Sequence, residues 1–146
     1  MRVGRESLLQ CLEAVAVATT RTDQIQQSSC LAFAQGRVMA FDGDVACSSA
    51  SPLNGVRGAV RALGVLEYLR KHTAEDMEIT GDGEKMSVFH GEECATFAME
   101  KDVLLPVEQI ESPQGWLPLH EDWVEAAQIV AACSGTDKSQ FDQLCV

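Results

Sequence analysis

The side chains that could do chemistry are spaced in a way that argues against catalysis. The histidines His72, His90 and His120 lie far apart in sequence, and none has an evident nucleophile beside it. Carboxylate pairs occur at Glu92-Glu93 and Glu121-Asp122, where a turn and a helix start are expected. The chain has no P-loop and no GxGxxG, HExxH or GxSxG pattern. Six cysteines, Cys11, Cys30, Cys47, Cys94, Cys133 and Cys145, are widely and irregularly spaced. Without a CxxC pair or a nearby histidine they do not read as a zinc site, and small buried hydrophobes with reduced thiols are expected. Asp42 and Asp44 lack the spread of ligands that a calcium loop needs, so they read as a turn. No enzyme, metal or cofactor is expected. One group stands out, Arg70-Lys71-His72, the densest basic cluster. At a helix end such cations complement the dipole, and this is the favoured reading. Phosphate contact is the alternative. Arg21 is a lone base in the polar stretch Thr19-Thr20-Arg21-Thr22-Asp23.

The elements that would carry these residues follow a repeated order. Residues 57–60 are a short apolar strand candidate, followed by a helical run over 62–72 with Leu63, Leu66 and Leu69 three apart. Strand candidates follow at 77–80, 85–90 and 94–99, separated by the turn signals Asp82-Gly83 and Gly91-Glu92. Upstream, Arg2-Val3-Gly4 leads into a helical run from 6 to about 18, then strand candidates at 28–34, 37–41 and 45–48. Leu8, Leu9, Leu12, Val15 and Ala16 would share one helix face, with Gln10, Glu13, Ala14 and Val17 mainly opposite. Downstream, a strand candidate at 115–119 precedes a helical run over 121–133 and a last strand candidate at 140–146. The helices begin roughly 57 residues apart, which predicts two full copies of a β-α-β-β-β unit and the start of a third. Residues 101–114, with Pro106 and Pro113, read as a linker. The expected domains are 1–110 and a partial unit over 111–146. That partial unit is too small to bury much apolar surface alone.

With 146 residues and 46% hydrophobic content, a folded core is expected. No apolar run approaches the roughly 20 residues of a membrane span, and residues 1–6 lack the apolar core of a secretion signal. A cytoplasmic location is the expectation. The net charge of −11 disfavours a surface that is basic throughout. It leaves room for a locally basic face within an acidic protein.

The repeated unit resembles the building block of DNA sliding clamps, and the residues resemble the bacterial DNA polymerase III beta subunit family. The stretches that carry this are Val3-Gly4-Arg5-Glu6-Ser7-Leu8-Leu9 with Leu12 and Val15, and Gly36-Arg37-Val38-Met39-Ala40-Phe41-Asp42-Gly43-Asp44. Further stretches are Gly83-Glu84-Lys85-Met86-Ser87-Val88 with Gly91 and Thr96-Phe97, and Trp116-Leu117-Pro118-Leu119. Each is short, but they occur in the family's order along nearly the whole chain. The resemblance implies an α+β clamp-like fold with helices on one face of antiparallel sheets. It also implies a non-catalytic processivity factor that encircles duplex DNA after oligomerisation and tethers a DNA polymerase or other replication protein. It places Arg21 and Arg70, with Lys71 as a neighbour, at DNA-binding positions. Gln10, Leu63 and Gly64 stand where the family commonly has bases, and Glu13 and Glu67 share that side, so the charge facing DNA is diluted. Two alternatives stay open: a clamp-fold protein-interaction module without DNA binding, and an unrelated small α+β enzyme.

Overall fold

The computed structural model describes residues 1–105, 115 and 117–133. The chain divides into two compact units, Met1–Ile110 and Glu111–Val146. The first contains β1 (Arg2–Gly4), α1 (Arg5–Ala16), β2 (Cys30–Ala34), β3 (Arg37–Phe41), β4 (Ala46–Ala50), β5 (Gly58–Arg61), α2 (Ala62–Lys71), β6 (Asp76–Gly81), β7 (Lys85–His90) and β8 (Glu93–Glu100). The second contains α3 (Trp123–Cys133).

The strands form one eight-stranded sheet in the order β1-β6-β7-β8-β5-β2-β3-β4, with every neighbouring pair antiparallel. This is the predicted unit twice over, with its first strands exchanged. β1 of the first copy pairs with β6 of the second, and β5 of the second pairs with β2 of the first. The two helices even start alike. Gly4 (φ −64°, ψ 123°) and Arg61 (φ −60°, ψ 121°) are both extended N-caps without a side-chain cap bond. In their place, the amides of Arg5 and Ala62 donate to the carbonyls of Glu75 and Ser29 in the other copy. The seam between β5 and β8 is paired through Ala59↔Glu100 and Val60↔Met99, whereas β1 and β4 are the two ends of the sheet.

Both helices pack on the same sheet face, as their apolar spacing requires. Leu8, Leu9, Leu12 and Val15 of α1 and Val65, Leu66 and Leu69 of α2 join Leu31, Phe33, Val38, Met77, Ile79, Met86 and Val88 in one core. A second cluster lies across β2. Cys30 and Ala32 alternate with Leu31 and Phe33, so they point the other way. There they meet Ala59 and Leu105, with Val103 and Phe41 beside them. The linker expected from residue 101 therefore begins as packed chain, since 103–105 cover this second face. β2 is buried on both sides, which explains why its sequence shows no clean alternation.

Several boundaries move from expectation for local reasons. β2 begins at Cys30 rather than 28, because Ser28 and Ser29 bond within the preceding loop and Gln27 adopts φ 64°. β4 runs later than 45–48, because Val45 belongs to the turn: its amide and that of Asp44 both donate to Asp42 Oδ1. β5 likewise starts one residue late, at Gly58. α3 begins at Trp123, not 121, and has no buried residues among those described. The expected strand over 115–119 is not formed by its described residues, Gly115 and 117–119. The expected strand over 140–146 lies outside the described residues. Among the described residues, no helix is long and apolar enough to cross a membrane.

Two turns share one chemistry. Asp42 accepts from the amides of Val45 and Asp44, and Asp82 accepts from those of Lys85 and Glu84. Those bonds hold both carboxyls below the ordinary aspartate value. A carboxyl depressed in the folded state contributes stability that is fully present above its unfolded pKa, about 3.9. That stability is lost as pH falls through the lower, folded value. Thermal unfolding followed from about pH 5 to about pH 2.5 is therefore expected to show falling stability. Asp42→Asn and Asp82→Asn, which keep an acceptor but cannot titrate, should each flatten that acid limb. An unchanged limb in both variants would assign the acid sensitivity elsewhere.

Candidate nucleic-acid interface

The side of α1 and α2 turned away from the sheet is the surface on which the predicted bases converge. On α1 it presents Glu6, Gln10 and Ala14, with Val17 at the C-cap and Glu13 half-buried. On α2 it presents Leu63, Gly64, Glu67, Arg70 and Lys71. Arg21 and Arg70, apart in sequence, line one groove of about 290 Å³ together with Glu13, Val17, Leu63 and Leu66. Lys71 is exposed next to Arg70 at the end of α2.

Arg21 sits in a braced loop. Thr20 donates to the Thr22 carbonyl at 2.7 Å, and its hydroxyl meets that of Ser28 at 2.8 Å. Asp23 accepts from the Ser29 amide at 2.9 Å and pairs with Arg61 at 3.5 Å. Hydrogen bonds from Ser29, aided by the Arg61 guanidinium, hold the Asp23 carboxyl below its usual range. Arg21 is exposed, and no ion pair involves it among the described residues.

Arg70 is not free. Its Nε donates to Glu13 Oε1 at 2.8 Å, joining α2 to α1. Arg5, given no role by the sequence, does the parallel task at the other end of α1. Its guanidinium donates to the carbonyls of Leu69 and Ala74 and to Glu6, tying the start of α1 to the end of α2. Both contacts place cations at the α2 C-terminus, where its carbonyls are unsatisfied. The structure thus gives the basic cluster the helix-end environment that the dipole favours, while leaving Lys71 on the open face.

The Glu13–Arg70 pair was missed by sequence reasoning, although a signal existed. The two residues are 57 positions apart, the same offset that separates Arg5 and Ala62 at the two helix starts. They are equivalent sites in the two copies, so the pair bridges the helices where the repeats face each other. On this face the acids Glu6, Glu13 and Glu67 stand against the bases Arg21, Arg70 and Lys71, with exposed Val17 and Leu63 between them.

No family model matches the chain, and no curated protein matches its sequence. Solved structures do match. The DNA polymerase III subunit beta from Pseudomonas aeruginosa aligns with a TM-score of 0.69 at 18% identity, over 93% of this chain and 41% of that one. The fold is that of a bacterial sliding clamp. The Helicobacter pylori beta clamp in complex with 3,4-difluorobenzamide aligns at 0.63 and 11% identity, over 96% and 41%. The DNA polymerase III beta subunit from Thermotoga maritima gives 0.62 and 13%, over 78% and 32%. The chain therefore spans at most 41% of the length of these three clamps. Within the clamp fold, Arg21, Arg70 and Lys71 all belong to the helical side of the first unit.

Proposed function

We propose that this chain is a non-catalytic, sliding-clamp-like DNA polymerase processivity factor, or a truncated or divergent relative of one. It would act in the cytoplasm, encircling duplex DNA without sequence preference after oligomerisation. Residues 1–110 would be one clamp domain and 111–146 the start of another. The observation that carries this reading is the convergence of Arg21 and Arg70 on one groove of the helical face, with Lys71 beside them. Phosphate contacts of this kind are independent of base sequence. A DNA polymerase or another replication protein would be the partner held on DNA.

The second reading, a clamp-fold protein-interaction module without DNA contact, is favoured by two features of the same face. Val17 and Leu63 are 72% and 61% exposed, and Arg70 is neutralised by Glu13.

Salt dependence of duplex binding separates the two. Each phosphate contact adds roughly 0.9 to the log–log salt slope on B-form DNA. With Arg21 and Lys71 free and Arg70 engaged, a slope near −2 per chain is expected in a fluorescence-anisotropy titration of the assembled protein. Glu13→Gln releases Arg70 and is expected to steepen the slope by about 0.9 and tighten binding. Arg21→Glu with Lys71→Glu should abolish it. A wild-type slope near zero, unchanged by Glu13→Gln, would reject DNA contact and leave the interaction module. Light scattering on the same sample reports whether a ring-sized assembly is present.

A further inference from the structure

We propose that His72, His90 and Glu93 form a binding site for one divalent transition-metal ion of the zinc class, at the corner where α2 meets the β7–β8 hairpin. One ligand atom from each of these residues can be chosen so that all lie within 4.8 Å of one another. His72 Nδ1 already approaches Glu93 Oε2 to 3.7 Å.

The fold brings these groups together by register. His90 and Glu93 are directly opposite across the β7–β8 hairpin, so their side chains leave the sheet on the same face. By strand alternation that face also carries Met86 and Val88 of β7 and Ala95 and Phe97 of β8. Met86 and Val88 are in the core beneath the helices. His90 and Glu93 continue the same row past the core's edge. His72 comes from the C-cap of α2. Its ring packs on Tyr68 with centroids 4.2 Å apart, and Tyr68 meets Phe97 edge-on at 5.8 Å. His72 is thus the held ligand, with a side chain only 24% exposed. His90 and Glu93 are exposed and free to turn inward.

Tetrahedral zinc with bonds of roughly 2.0–2.1 Å sets its ligand atoms about 3.3 Å apart. His90 and Glu93, both exposed, would rotate to close the remaining gap. Two imidazoles and a carboxylate suit zinc, copper or nickel, whereas calcium and magnesium prefer all-oxygen shells. The fourth position would be left to water. Two further observations point to this corner. The Tyr68 hydroxyl, on the ring that packs against His72, is buried and has no hydrogen-bond partner among the described residues, a costly arrangement. The 57-residue offset also places His72 at the position of Val15, a fully buried core residue in the first copy. The second copy has a metal-ligating side chain where the first has an aliphatic one.

The test is calorimetric titration of chelator-stripped full chain with zinc chloride, with thermal unfolding in parallel. One-to-one binding and a melting temperature raised by several degrees in excess zinc are expected. His90→Ala and Glu93→Gln, both at an exposed hairpin end, should each weaken binding by at least about ten-fold and leave the metal-free melting temperature unchanged. Because the chain is rich in cysteine, cobalt is substituted for zinc. The proposal expects ligand-field bands without an intense thiolate charge-transfer band. Absence of zinc binding, undiminished affinity in either variant, or a thiolate band each overturns it.

Discussion

Gln27→Ala is expected to destabilise the fold by about 3 kcal/mol, a large effect for one side chain in a loop. Gln27 is 2% exposed, and its amide makes three hydrogen bonds. Nε2 donates to Glu100 Oε2 and to the Asp102 carbonyl, both at 2.7 Å, and Oε1 accepts from the Leu104 amide at 2.8 Å. Alanine would remove three part-buried hydrogen bonds, each worth roughly 0.5–1.5 kcal/mol net and more where the acceptor is a carboxylate. It would also release 103–105 from the sheet face that Leu105 covers. Trypsin cleavage after Lys101 should accelerate accordingly. The backbone here has φ 64°, a left-handed conformation that costs most residues about 1–2 kcal/mol. Gln27→Gly loses the same hydrogen bonds but not that strain, so it should be tolerated better than alanine by on the order of 0.5–1 kcal/mol. Urea midpoints of the two variants check the ordering. An alanine variant within about 1 kcal/mol of wild type, with unchanged cleavage, would show that the amide is not the anchor.

Gly58→Ala should cost about 3 kcal/mol or more, because strain and collision act together. Gly58 has φ 127°, and a Cβ there would lie 2.7 Å from the Glu100 carbonyl oxygen and 3.0 Å from Met99 Cε. The methionine tip can move, but the backbone oxygen cannot without parting the strands. That oxygen belongs to the β5–β8 seam, where the register pairs only Ala59 with Glu100 and Val60 with Met99. The expected result is a lower denaturation midpoint together with faster amide exchange at 59–60 and 99–100. A near-neutral Gly58→Ala would mean that the seam accommodates the added atom and is looser than its geometry indicates.

Much of the fold is legible because local chemistry and tertiary demand agree. β3 and β7 occur where their alternation and flanking turns place them, and the helices occupy their apolar runs to within about two residues at each end. The misplacements occur where a side chain competes with the ladder, as Asp42 does at Val45 and the Ser28-Ser29 loop does before β2. The proposed interface was half legible. Resemblance supplied Arg21, Arg70 and Lys71, but only coordinates show that Glu13 ties up Arg70. The corner of His72, His90 and Glu93 was hidden for a different reason. His90 and Glu93 become neighbours through a two-residue turn, but His72 joins them only once α2 lies over that hairpin. No spacing rule encodes that step.

The exchanged first strands have an implication for any single copy of the repeat. Cut loose near residue 56, the leading half would keep β1 without the strand it borders and β2 with a bare flank where β5 had been. The trailing half would be left with the reciprocal deficits. Each half would therefore offer what another half needs, and two identical halves could swap their opening segments and close a symmetric pair. In the tandem chain one peptide connection near residue 56 holds the two halves together, so the exchange is intramolecular.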